Sequence, residues 1–169
     1  MKLFNVEFSV ENVPELDPGF MPLLSFNRAY LRGAKKPLDI AVERSGGQVA
    51  ALRTFIYCTP EMAEADRSYT DRLVQFILWM KGGFRIYVSG DRGVFDHLRS
   101  AYSPDGERSF DCALMSRVYE RPFEVTYCEA VPAEKSAPEQ TGRHLGGCRI
   151  GFDAGGSARK LSAVLAGTP

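Results

Sequence analysis

Apolar and polar residues alternate along several short runs of this chain, and in one long run they recur at helical spacing. Residues 2–10 alternate loosely (Leu3, Phe4, Val6, Phe8, Val10) and predict an edge strand. Residues 11–36 keep no period. Pro14, Pro18 and Pro22 punctuate them, while Phe20, Met21, Leu23, Leu24 and Phe26 supply apolar mass, so the stretch reads as an extended arm or long loop covering the core. Pro37–Glu43 and Gln48–Tyr57 are two strand-like runs joined by Arg44-Ser-Gly-Gly47. Leu38, Ile40 and Val42 mark the half-buried face, and Gly46-Gly47 permits the positive φ of a tight hairpin.

Thr59-Pro60-Glu61 reads as a helix start, with Thr59 as N-cap and Pro60 at the first helical position. Glu61, Glu64 and Asp66 place negative charge at the positive end of the helix dipole. Tyr69, Leu73, Phe76, Ile77 and Met80 form one apolar stripe, widened by Val74 and Leu78. Gly82-Gly83 ends that helix, just after Trp79. Phe84–Val88 is a strand, Ser89-Gly-Asp-Arg-Gly93 an ordinary strand-to-helix turn, and Val94–Tyr102 a short helix. His97 sits near the apolar side of that helix with no evident partner. Phe110–Tyr119 is a helix or an irregular segment, and Phe123–Val131 alternates as a strand.

This order predicts an α/β chain of the α+β mixed-sheet kind, in which a hairpin feeds right-handed βαβ crossovers. The layout is also compatible with a small ribonuclease-H-like arrangement. Residues 1–131 read as the N-terminal domain. Residues 132–147, rich in Pro, Ala, Glu, Ser, Gln and Gly, read as a linker. Residues 148–169 read as the incomplete start of a further domain.

Composition narrows the options. With 169 residues, 21 basic and 21 acidic side chains, the chain has no net charge to build a nucleic-acid surface in bulk. No apolar run reaches the roughly 18 residues that span a bilayer. The first residues alternate and carry Glu7, unlike a signal peptide. Cys58, Cys112, Cys128 and Cys148 form no C-x-x-C pair and, beside two histidines, propose no zinc site. They read as reduced core or strand cysteines of a cytoplasmic protein. Neither a membrane nor a nucleic-acid partner is expected.

The candidate chemistry lies in residues 149–165, read as strand Arg149–Phe152, glycine-rich reversal Asp153–Ala158 and strand Lys160–Leu165. Asp153 at a strand mouth can hold magnesium directly or through water. Gly155 and Gly156 let a phosphate approach their N–H groups, Ser157 adds a hydroxyl, and Lys160 or Arg159 meets phosphate charge. A plain glycine-turn hairpin with Asp153 as turn former fits the same residues equally well.

Ile150-Gly-Phe-Asp-Ala-Gly-Gly-Ser157 resembles the first phosphate motif of the sugar-kinase, Hsp70 and actin superfamily, and is most similar to the bacterial ROK family. Residues 72–88 and 116–125 resemble the extra N-terminal domain of certain bacterial ROK-type proteins. The resemblance implies an actin-like ATPase domain beginning at the hairpin, with Asp153 near magnesium and phosphate and Gly155, Gly156 and Ser157 forming the phosphate turn. It implies ATP and Mg as cofactors of a full-length carbohydrate kinase, with the rest of the kinase-like domain as partner of this chain. The family's catalytic aspartate, sugar-binding residues and zinc motif match nothing here, so no catalytic residue is assigned. The chain is expected to be silent by itself and to bind no cofactor tightly. Two alternatives stand beside this reading: a non-catalytic interaction module that forms homo-oligomers, and a small ribonuclease-H-type hydrolase. For the hydrolase only Asp39 and Asp153 are suitably placed.

Overall fold

The computed structural model describes residues 1–137 and 146–166. They belong to two compact units, Met1–Ser136 and Ala137–Pro169.

The first unit opens with a two-stranded hairpin, β1 (Lys2–Leu3) and β2 (Val6–Glu7), rather than one edge strand. Phe4 and Asn5 take positive φ at its turn, which the loose alternation conceals. Helix α1 (Leu23–Gly33) follows where an extended arm was expected. Pro22 stands at its N-cap, where it starts the helix instead of breaking it. Phe26, Ala29 and Tyr30 are its buried face, at i, i+3 and i+4. Leu23 and Leu24 remain exposed, so only part of the expected apolar mass covers the core.

Strands β3 (Lys36–Glu43), β4 (Val49–Ile56), β5 (Arg85–Ser89) and β6 (Glu124–Tyr127) make a four-stranded sheet in the order β4-β3-β5-β6. β3 is antiparallel to both neighbours, and β5 runs parallel to β6. The sheet is therefore mixed, as the element order predicts. Its helices are α2 (Ala63–Lys81), α3 (Arg92–Ala101) and α4 (Ser109–Tyr119). Leu38, Ile40 and Val42 from β3, with Ile86 and Val88 from β5, pack against Val74, Leu78, Val94, Leu98 and Met115. A second cluster joins Val6 and Phe8 to Phe26 and Tyr30 of α1 and Ala65 and Tyr69 of α2.

Two local readings change. Pro60–Met62 forms a separate 3-10 turn, the Thr59 hydroxyl makes no cap, and α2 begins at Ala63. The buried face of α2 is also rotated from the expected stripe: Val74, Ile77 and Leu78 are inside, whereas Phe76 is 60% exposed and Met80 lies outside with it. The two faces are both apolar, so periodicity alone does not choose between them.

The compact unit runs to Ser136. Lys135 pairs with Val49 through two backbone hydrogen bonds of 2.9 and 3.0 Å, so the start of the proline-rich stretch lies along the edge strand β4. Residues 138–145 of the expected linker fall outside the described residues. The second unit contains one antiparallel hairpin, β7 (Arg149–Ala154) and β8 (Arg159–Val164). No helix of the described residues is long and apolar enough to cross a membrane.

Candidate functional sites

In the β7–β8 hairpin the register is Ile150↔Ala163, Phe152↔Leu161 and Asp153↔Lys160. Directly opposite residues of an antiparallel pair share a face. One face is thus mainly apolar, with Ile150, Phe152, Leu161 and Ala163 and with Arg159 near the turn, and the other carries Gly151, Asp153, Lys160 and Ser162. The apolar face is open: Ile150 is 78% and Leu161 72% exposed. Asp153 and Lys160 meet across the strands at 3.7 Å, both well exposed, a geometry worth at most a few tenths of a kcal/mol.

The turn itself is narrower than the sequence implies. Both strands extend further into it than expected, Asp153 belongs to β7, and Gly155 to Ala158 form the reversal. The Gly155 N–H donates to the Ala158 carbonyl at 2.9 Å and is already used. A Cβ on Gly155 would stand 2.7 Å from that carbonyl oxygen, so glycine is required there by the turn itself. A Cβ on Gly156 would meet nothing within 4 Å. The open tip is therefore Gly156 and Ser157, flanked by Asp153 and Lys160. A single carboxylate beside a lysine suits a phosphate-bound magnesium, which takes one or two carboxylates with phosphate oxygens and water. Among the described residues no group of three or more metal-binding side chains is assembled.

A second constellation lies at one end of the four-stranded sheet in the first unit. Lys36 opens β3, Cys58 follows the end of β4, and Asp91 follows the end of β5. Because β3 runs antiparallel to β4 and β5, these three positions converge. Lys36 Nζ donates to Asp91 Oδ2 at 2.7 Å and lies 3.1 Å from Cys58 Sγ, and the Cys58 thiol donates to Asp91 Oδ2 at 3.2 Å. Asp91 also caps α3 by accepting from the Val94 N–H at 2.8 Å. Burial works against its ionisation, but Lys36, the Val94 N–H and the Cys58 thiol outweigh it and hold the carboxyl below the usual carboxylate range. The hydrogen bond from Lys36 to Asp91, then that to Cys58, holds the ammonium above its ordinary value.

The backbone at Cys58 is set by Asp66. This buried carboxylate accepts the Tyr57 N–H at 3.0 Å, the Cys58 N–H at 2.7 Å and the Tyr30 hydroxyl. Cys58 is held at φ 57°, a left-handed conformation that costs a non-glycine residue roughly 1–2 kcal/mol. Strand, left-handed cysteine, helical turn is the arrangement that thrusts a side chain out of a sheet end. The thiol faces a cavity of about 370 Å³ lined by Pro60, Ala63, Arg67, Gly93 and Val94.

The sequence gives little notice of this cluster. Cys58 and Cys148 are exposed and Cys112 and Cys128 half-buried, so none is a core cysteine; nor does any stand within a strand, Cys112 lying in α4 and the other three just outside strand ends. Asp66 does stand in the first turn of α2, where the dipole reading places it, and is in addition a buried hub. His97 does have a partner, Asp71 Oδ1 at 3.0 Å, with Arg108 at 3.9 Å on the other oxygen. Asp39 is engaged by Arg53 through a two-pronged contact of 2.7 and 2.9 Å and, among the described residues, belongs to no group of three or more metal-binding side chains. Compared with protein-family models, curated proteins and solved structures, the chain matches none.

Proposed function

We propose that this chain is the N-terminal part of an ATP-dependent, ROK-type carbohydrate kinase-like protein, in which the β7–β8 hairpin is the first phosphate-binding element. The supporting observation is the two-faced hairpin. Its polar face carries Asp153 and Lys160 up to an open Gly156-Ser157 tip, while its apolar face has Ile150, Phe152 and Leu161 exposed. A lone two-stranded hairpin is marginal in water, and an apolar face of this kind calls for a larger sheet and core to cover it. In that setting Gly156 and Ser157 would donate to phosphate, Lys160 would neutralise its charge, and Asp153 would hold magnesium. The metal's contribution is charge neutralisation during phosphoryl transfer from ATP to a sugar hydroxyl.

The test uses the full product of the gene in an ATP-coupled assay over a panel of hexoses. Asp153→Asn lowers kcat by about 100-fold, the usual scale for losing one electrostatic stabiliser. The 169-residue chain alone turns over no sugar. Absence of phosphorylation of any hexose, or an unimpaired Asp153→Asn variant, overturns the reading.

A second reading rests on a different surface. Phe76, Trp79 and Met80 of α2 and Phe110 of α4 are all exposed, with Trp79 and Phe110 stacked at 6.4 Å. Such a patch suits a self-association face. Light scattering on the eluting chain decides: a dimer that Trp79→Ser converts to monomer supports it, and a monomer at all concentrations removes it.

A further inference from the structure

We propose that Cys58 is a covalent modification site, a nucleophilic thiol that forms mixed disulfides with small disulfides bearing carboxylates. The thiol is exposed, held out of the sheet end by its left-handed backbone, and directed at a cavity large enough for a small molecule. Lys36 Nζ, 3.1 Å from Sγ, is placed to pair with the thiolate as it forms, and Asp91 Oδ2, 3.2 Å away, already accepts the thiol proton's hydrogen bond. The cavity wall supplies the recognition element. Arg67 is exposed there and makes no ion pair among the described residues, so its guanidinium is placed to take a carboxylate in two-pronged fashion. Pro60, Ala63 and Val94 offer apolar contact to the rest of the molecule.

The step balances without a further reactant. The Cys58 thiolate attacks one sulfur of the small disulfide; a new S–S bond forms to Sγ and the old one breaks. Cys58 is oxidised to the mixed disulfide, and the departing half is reduced to a thiol. It takes up the proton that Cys58 released past Asp91 to water. The reverse reaction with excess small thiol restores Cys58.

The experiment incubates the reduced, intact chain with oxidised glutathione at neutral pH and follows each cysteine by peptide mass spectrometry. Cys148, also exposed but without a lysine–aspartate pair among the described residues, is the internal reference. Cys58 is expected to be modified at least about 10-fold faster than Cys148, as a lysine 3.1 Å from its Sγ and the adjoining cavity imply. Lys36→Met lowers the Cys58 rate towards that of Cys148 while leaving Cys148 unchanged. Arg67→Ala slows reaction with oxidised glutathione several-fold but not with uncharged hydroxyethyl disulfide. That second probe keeps the test decisive should Lys36→Met disturb the fold. Equal rates at Cys58 and Cys148 in the native chain overturn the proposal. Loss of reactivity towards both disulfides in Arg67→Ala overturns the carboxylate recognition.

Discussion

At Asp66 one carboxylate accepts from two backbone N–H groups and a tyrosine hydroxyl, tying α1, α2 and the end of β4 together. Tyr30, buried above it and stacked on Tyr69 at 4.4 Å, keeps its proton far beyond the usual phenol range, first through burial and then through the bond to Asp66. Asp66→Asn replaces two acceptor positions with one and should cost about 2–3 kcal/mol. An unchanged urea midpoint would show the network to be dispensable. Asp91 makes a pH-dependent contribution. Its carboxyl titrates lower in the folded chain than in the unfolded one, so its stabilisation is present above roughly pH 4 and lost as pH falls through the folded value. Asp91→Asn should therefore lower the urea midpoint at pH 6, by an amount that shrinks as pH falls through the acid range.

Among elements, the end of α2 shows how a backbone position constrains a neighbour. Gly83 has φ 157°, and a Cβ there would lie 2.2 Å from Val42 Cγ1 and 2.8 Å from the Glu43 carbonyl oxygen. The glycine lets the chain leave the helix and dock β5 beside β3, where the Phe84 N–H donates to Glu43 at 3.0 Å. Gly83→Ala should destabilise by about 1–3 kcal/mol, as overpacking against backbone does. A thermal melt within a degree of the parent's would refute this. The β3–β4 hairpin was legible in sequence because Leu38, Ile40 and Val42 alternate and Gly46 and Gly47 do take positive φ. Helix α1 was not, because three prolines spaced along 14–22 mimic a broken chain although the last of them merely starts the helix.

For the whole molecule, both apolar clusters lie within residues 1–136. A chain of residues 1–136 should fold cooperatively with a midpoint close to that of the full chain. One cut at residue 131 loses the two Lys135–Val49 backbone bonds and should be less stable by about 1–2 kcal/mol. Equal midpoints for the two lengths would show the bridge to be idle.

Periodicity and turn residues by themselves determined the mixed α/β class, the β3–β4 hairpin, the strand–helix order from β3 to β6 and the existence of the β7–β8 hairpin, since these depend on neighbours a few positions apart. Only the tertiary structure decided which apolar face of α2 is buried, that Asp66 is a hub, and that Lys36, Cys58 and Asp91 meet. Those outcomes depend on strand direction and sheet order, which bring together side chains 22 and 55 positions apart in the chain.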